Sequence, residues 1–211
     1  MRTALYYVFD PLCGWCYGAS GTVAAAASID IDLRLMPSGL FTGPGARKMD
    51  DAFAAYAWAN DQRIERLTGQ PFSELYRTRV LADRQQAFDS GLATLALTAA
   101  ALTAPDRELD VLGAIQRARY VDGRDITHRQ TLVELLADKG LAEASARLQQ
   151  PDAALITAND ARVADAQAVL QAFDARGVPT FILERDGRRQ LLQTSAAYSD
   201  PQAFLRQVVA A

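Results

Sequence analysis

Residues 9–18 read Phe9-Asp10-Pro11-Leu12-Cys13-Gly14-Trp15-Cys16-Tyr17-Gly18, and they hold both cysteines of the 211-residue chain. Upstream, Thr3 to Phe9 is a nearly unbroken run of apolar, aromatic and β-branched residues, the pattern of a central strand covered on both faces. Asp10-Pro11 breaks that run. From Gly14 to Ser28 the residues become small and alanine-rich, which predicts a helix. The two cysteines therefore stand where a first strand hands over to a helix. Ile29 to Met36 then alternates, with Ile31, Leu33 and Leu35 on one side and Asp30, Asp32 and Arg34 on the other. That is the period of a half-buried strand, and Pro37 ends it.

Beyond the loop Ser38–Gly45, residues 41–158 carry helical spacing almost throughout, with no strand-like stretch. Phe53, Ala57, Ile64 and Leu67 form one stripe, and Phe88, Leu92, Leu95, Ala99 and Leu102 another. Leu109, Leu112, Ile115 and Arg119 continue the pattern. Thr127-His128-Arg129-Gln130 predicts a capping box opening a helix that buries Leu132, Leu135 and Leu136 and stops at Gly140. Asn159 or Asp160 is the predicted cap of a last long helix, with Val163, Ala166, Leu170 and Phe173 inward and Gly177 as its stop. Thr180–Glu184 and Arg189–Gln193 then read as strands joined at Asp186-Gly187, a strong hairpin signal. Asp200-Pro201 opens a terminal helix burying Phe204, Leu205, Val208 and Val209. The order is β-α-β, a helical block, then α-β-β-α. With the block removed, this is the thioredoxin arrangement, so the expected fold class is α/β, a thioredoxin-like sheet with a large all-helical insertion. The expected division is a discontinuous domain, 1–40 plus 159–211, with a lid-like insertion at 41–158.

Composition narrows the function classes. Half of the residues are hydrophobic and 22% are charged, a globular balance. A formal net charge of −3 without a basic run argues against nucleic acid as partner. The first apolar stretch is too short for a signal-peptide core and runs straight into the cysteines, and no segment approaches the roughly 18 apolar residues of a membrane span. The expectation is a cytoplasmic protein with no membrane partner.

In that compartment a C-x-x-C is not a structural staple, and its place after the first strand of a βαβ pattern favours redox chemistry. A thiolate at a helix N-terminus faces unpaired backbone N–H groups and the positive end of the macrodipole, and thiols in such motifs ionise at roughly pH 3.5–7.5. Cys13, the outer cysteine, is the candidate attacking thiolate. Cys16, one turn inward, is the candidate resolving thiol. A structural zinc needs four ligands, and the single histidine, His128, is remote, so no metal is expected. His128 reads as a surface or capping residue. Gly177-Val178-Pro179-Thr180 precedes a strand; a cis Pro179 there would leave the Val178 backbone free to pair with an extended substrate. Trp15, Val178, Pro179 and Thr180 are thus candidate substrate contacts, and Asp10 a candidate proton relay. Tyr56, Trp58 and Tyr76 read as core or lid packing, and Phe41 with its glycine loop as a connector.

The Cys13–Cys16 motif, the helical insertion and Gly177-Val178-Pro179-Thr180-Phe181 together resemble the DsbA-like thioredoxin superfamily, in particular its cytoplasmic FrnE-like branch, over essentially the whole chain. Tyr120-Val121-Asp122-Gly123-Arg124-Asp125-Ile126 adds to the likeness within the insertion. The resemblance implies protein or small-molecule disulfide exchange with Cys13 nucleophilic, Cys16 resolving and Pro179 cis. Gly-Trp stands where the periplasmic oxidants carry Pro-His, which implies a reductase or isomerase rather than a strong oxidase. No cofactor is implied, with glutathione a candidate co-substrate and the recycling partner unknown. Two alternatives stand beside this one. The first is a glutathione-dependent isomerase or transferase of the kappa or hydroxychromene-carboxylate type, which usually has serine at the first position. The second is a non-catalytic role in which the pairs of two chains hold a soft metal.

Overall fold

The computed structural model describes residues 3–210. Along the chain run β1 (Ala4–Phe9), α1 (Gly14–Gly18), α2 (Ser20–Ala27), β2 (Asp32–Pro37), β3 (Arg47–Lys48), α3 (Asp51–Thr68), β4 (Ala87–Phe88) and α4 (Gly91–Thr103). There follow α5 (Glu108–Tyr120), α6 (Arg129–Asp138), α7 (Ala142–Gln149), α8 (Ala153–Ala172), β5 (Thr180–Arg185), β6 (Arg188–Leu191), α9 (Ala196–Ser199) and α10 (Pro201–Ala210). The main sheet has the order β2-β1-β5-β6, with β1 parallel to β2 and antiparallel to β5.

Every residue of β1 is buried, as its unbroken apolar run requires. Side chains alternate across the sheet. Leu5, Tyr7 and Phe9 join the main core with Phe181, while Ala4, Tyr6 and Ile182 form a second cluster closed by Val169 of α8 and Phe173 just after it. Tyr7 stacks at 5.0 Å on both Phe9 and Phe181, and Phe204 of α10 packs edge-on against Phe181. Asp186 and Gly187 turn the β5–β6 hairpin with φ of 53° and 76°, the two left-handed residues a tight hairpin turn wants.

The insertion is helical apart from β3 and β4, a two-residue antiparallel pair too short to leave a period-2 signal. Its centre is α4, with Ala93, Ala96, Leu97, Ala99 and Ala100 all buried against α5, α6, α7 and α8. α3 docks on α1 through two glycines: a side chain at Gly14 would collide with Asp61 and Ile64, and one at Gly18 with Ile64.

Several local expectations are corrected. The helix expected over Gly14–Ser28 divides at Ala19. α8 begins at Ala153, capped by the Asp152 carboxylate, which accepts from Leu155 N at 2.7 Å; Asn159 and Asp160 lie within it, and so does the 158/159 division. It ends at Ala172 with Asp174 as the left-handed residue, and Gly177 lies beyond. No capping box forms at Thr127, whose hydroxyl and N–H both donate to Asp125 Oδ1, leaving His128 as the cap without a side-chain bond. Leu67, Leu102 and Val209 are exposed at the ends of their stripes.

Candidate active site

The turn after β1 sets the first cysteine. Cys13 is the N-cap of α1 in extended conformation, its N–H donating to Asp10 O at 3.1 Å and its C=O accepting from Tyr17 N at 3.1 Å. Asp10 is fully buried and both its oxygens are engaged. Oδ1 accepts from Leu12 N at 2.9 Å, while Oδ2 accepts from Ser90 Oγ at 2.7 Å and Phe41 N at 3.2 Å. One carboxylate thus ties the cysteine turn to the loop after β2 and to the start of α4. Burial pushes its carboxyl above the usual range, against the pull of these bonds. From the other side, Tyr120 OH donates to Leu12 O at 2.7 Å, and Tyr7 OH donates to Cys16 O at 3.1 Å.

The two sulfurs, both free thiols, are unequal: Cys13 is 8% exposed and Cys16 wholly enclosed. Burial first, and then the neighbouring Cys13, hold the Cys16 thiol well above the ordinary range, so it keeps its proton. Cys13 Sγ donates to Val178 O at 3.5 Å, so the cis Val178–Pro179 bond lies directly against it. That thiol occupies the Val178 carbonyl in the dithiol state. Thr180 turns its hydroxyl back to Gly177 O at 2.7 Å, closing the loop on itself. Trp15 is half-buried, edge-on to Tyr198 of α9 at 5.0 Å, with the Arg63 guanidinium 5.7 Å from its ring. His128 is far out on the surface and pairs with Asp125 at 3.3 Å.

A cleft of about 230 Å³ opens beside Cys13. Cys13, Gly14 and Trp15 form one wall, and Phe53, Tyr56, Asp61, Tyr76, Phe88 and Tyr120 of the insertion, with Phe41, form the other. A larger groove of about 530 Å³, bordered by residues of α4 and α8, touches neither cysteine. Among the described residues, no group of three or more His, Cys, Asp or Glu side chains is placed to hold a metal ion.

Asp61 was not legible as a site residue. Its Oδ2 accepts from Tyr76 OH at 2.9 Å, and burial pushes its carboxyl up to about 7, opposed by the Tyr76 hydroxyl and by Arg119. Arg119 is itself fully buried. Among the described residues its three guanidinium nitrogens have no hydrogen-bond partner, and the rings of Phe88, Tyr76 and Tyr120 lie 5.3, 5.4 and 5.7 Å away. A signal for Asp61 exists: it falls between Ala57 and Ile64 at i+4 and i+7 spacing, on the apolar stripe itself.

Two thiols of such unequal exposure, one facing a cleft and one behind it, exchange with a disulfide in sequence, and by fold and site the protein is a thiol–disulfide oxidoreductase. The chain belongs to the DSBA-like thioredoxin domain family, whose model matches residues 4–208. It is 39% identical to the cytosolic disulfide reductase DsbM from Pseudomonas aeruginosa over 98% of both chains, with a TM-score of 0.87. Against the structure of DsbM with GSH the identity is 36% and the TM-score 0.82, covering 99% of this chain and 100% of that one. The oxidoreductase DsbA from Xylella fastidiosa, 14% identical with a TM-score of 0.54 over 100% of this chain and 88% of its own, shares the fold. No curated protein sequence matches the chain.

Proposed function

We propose that the protein is a cytoplasmic disulfide reductase or isomerase that acts on protein or small-molecule disulfides and is recharged by glutathione. The observation that carries this reading is the pair itself, Cys13 at the cleft with Cys16 enclosed and still protonated behind it. Similarity to a cytosolic reductase whose structure includes GSH supports the direction and the co-substrate. No described helix is long and apolar enough to cross a membrane.

The Cys13 thiolate attacks one sulfur of the substrate; a mixed disulfide forms and the other sulfur departs as a thiol. Cys16 gives up its proton and attacks Cys13 Sγ, the second substrate sulfur leaves, and the enzyme holds a Cys13–Cys16 disulfide. Two glutathione thiols then restore the dithiol and leave as glutathione disulfide. In isomerase turnover the mixed disulfide is attacked instead by another substrate thiol, with no net electron transfer. Trp15 lines the cleft beside Cys13, and ionisation of Cys13 frees the Val178 carbonyl it now occupies for a substrate N–H, with Pro179 and Thr180 next in the same loop as the further candidate contacts.

Substitution separates the roles of the sulfurs. Cys13→Ser abolishes glutathione-driven reduction of insulin or of a small disulfide, whereas Cys16→Ser accumulates mixed disulfides visible by intact-protein mass. Turnover surviving in Cys13→Ser would end this reading.

A further inference from the structure

Among the described residues lining the cleft, Asp61 is the only acid, and its placement is built rather than incidental. α3 lays it on Gly14, the residue after Cys13, where the missing side chain makes room for Oδ1. Tyr76 fixes Oδ2 from behind, and among the described residues no hydrogen bond engages Oδ1. The titratable and charged groups around it are the Tyr76 and Tyr120 hydroxyls, the Arg119 guanidinium and, on the opposite wall, Cys13. Both tyrosines sit well above their ordinary range, which leaves Arg119 as the one charge behind the carboxyl.

Resting on the disulfide-exchange reading, we propose that Asp61 is the proton donor to the departing sulfur when Cys13 opens a substrate disulfide. The Cys13 thiolate bonds to the nearer sulfur, the substrate S–S bond breaks, and its electron pair goes to the farther sulfur. That sulfur takes the Asp61 proton and leaves as a neutral thiol; the carboxylate regains a proton from solvent through the open cleft. An alkyl thiolate is a basic, reluctant leaving group, so a proton supplied as the bond breaks lowers the barrier. An ordinary carboxyl would be ionised at neutral pH, with nothing to give and a charge that repels the incoming thiolate. This one, enclosed and raised to about 7, keeps a protonated population there. Cys16 cannot serve in its place, because its sulfur has no access to the cleft.

The test follows single turnovers of the pre-reduced wild type, Asp61→Asn and Tyr76→Phe, each mixed with an excess of one disulfide from about pH 5 to 9: glutathione disulfide, which releases an alkyl thiolate, or an aromatic disulfide such as dithiobis-nitrobenzoate, whose thiolate departs without a proton. Asp61→Asn lowers the second-order rate constant for glutathione disulfide about 10-fold or more at about pH 6, and lowers it several-fold less for the aromatic disulfide. Tyr76→Phe removes a bond that favours the charged carboxyl, so the inflection expected at about 7 in the glutathione disulfide profile moves upward. Equal losses on both substrates, or an inflection unmoved in both variants, overturn the proposal while leaving disulfide exchange in place. A wild-type enzyme that opens neither substrate overturns the exchange reading and this proposal with it.

Discussion

At the scale of single residues, Gly14 shows how a two-residue difference in the C-x-x-C reaches the rest of the molecule. The same position that lets α3 approach also seats Asp61 against the dithiol. Gly14→Ala must move Asp61 and Ile64, and the expected cost is about 1–3 kcal/mol of stability, read as a shift in denaturant midpoint, with altered exchange kinetics. The cysteines and their place at the strand–helix junction were legible because a C-x-x-C after a strand is a local signal. The unequal burial of the two sulfurs follows from the same helix turn. The work of Asp10 was not legible, since two of its partners, Phe41 and Ser90, are remote in the chain.

Among the elements, α3 matters most to the cleft, because Phe53, Tyr56 and Asp61 all ride on it. It starts at Asp50, whose carboxylate accepts from Phe53 N at 2.7 Å, and stops at Gly69 in left-handed conformation. Asp50→Ala removes that cap; the expected loss is about 1 kcal/mol, seen as a lower thermal midpoint, with KM for disulfide substrates rising as the first turn frays. Elements with strong local chemistry were readable: β1 from its apolar run, the hairpin from Asp186-Gly187, α10 from Asp200-Pro201. Caps were readable only where nothing competed for the side chain. Thr127 has the right identity, yet Asp125 takes its hydroxyl, and α8 starts at Asp152 because Pro151-Asp152 offers a cap a full turn and more before Asn159.

For the molecule as a whole, buried acids set an unusual pH dependence. Asp61, Asp10 and Glu108 all lie above the ordinary carboxylate range because burial penalises their charged forms. Folding favours their protonated forms, so their contribution is complete below about pH 4 and is withdrawn as pH rises through the folded value, about 7 for Asp61. The thermal midpoint is therefore expected to fall between about pH 5 and pH 8. Asp61→Asn should flatten that fall, recovering a share whose upper limit is on the order of 4 kcal/mol. Calorimetry of both proteins at the two pH values measures it; parallel curves would contradict the assignment. The lowered carboxyls of Asp110 and Glu184 act in the opposite sense, below the ordinary carboxylate range, and leave this window alone.

By itself the chain's order of residues determined the strand–helix junction, the dithiol at its mouth, the proline loop and the thioredoxin arrangement around an insertion, because each is written in neighbouring residues or in a short period. The tertiary structure alone decided which insertion side chains face the sulfurs. Asp61, Tyr76 and Tyr120 reach the cleft, with Arg119 packed behind the two rings, only after a long stretch of chain has closed back on α1, and no local pattern encodes where such a closure lands.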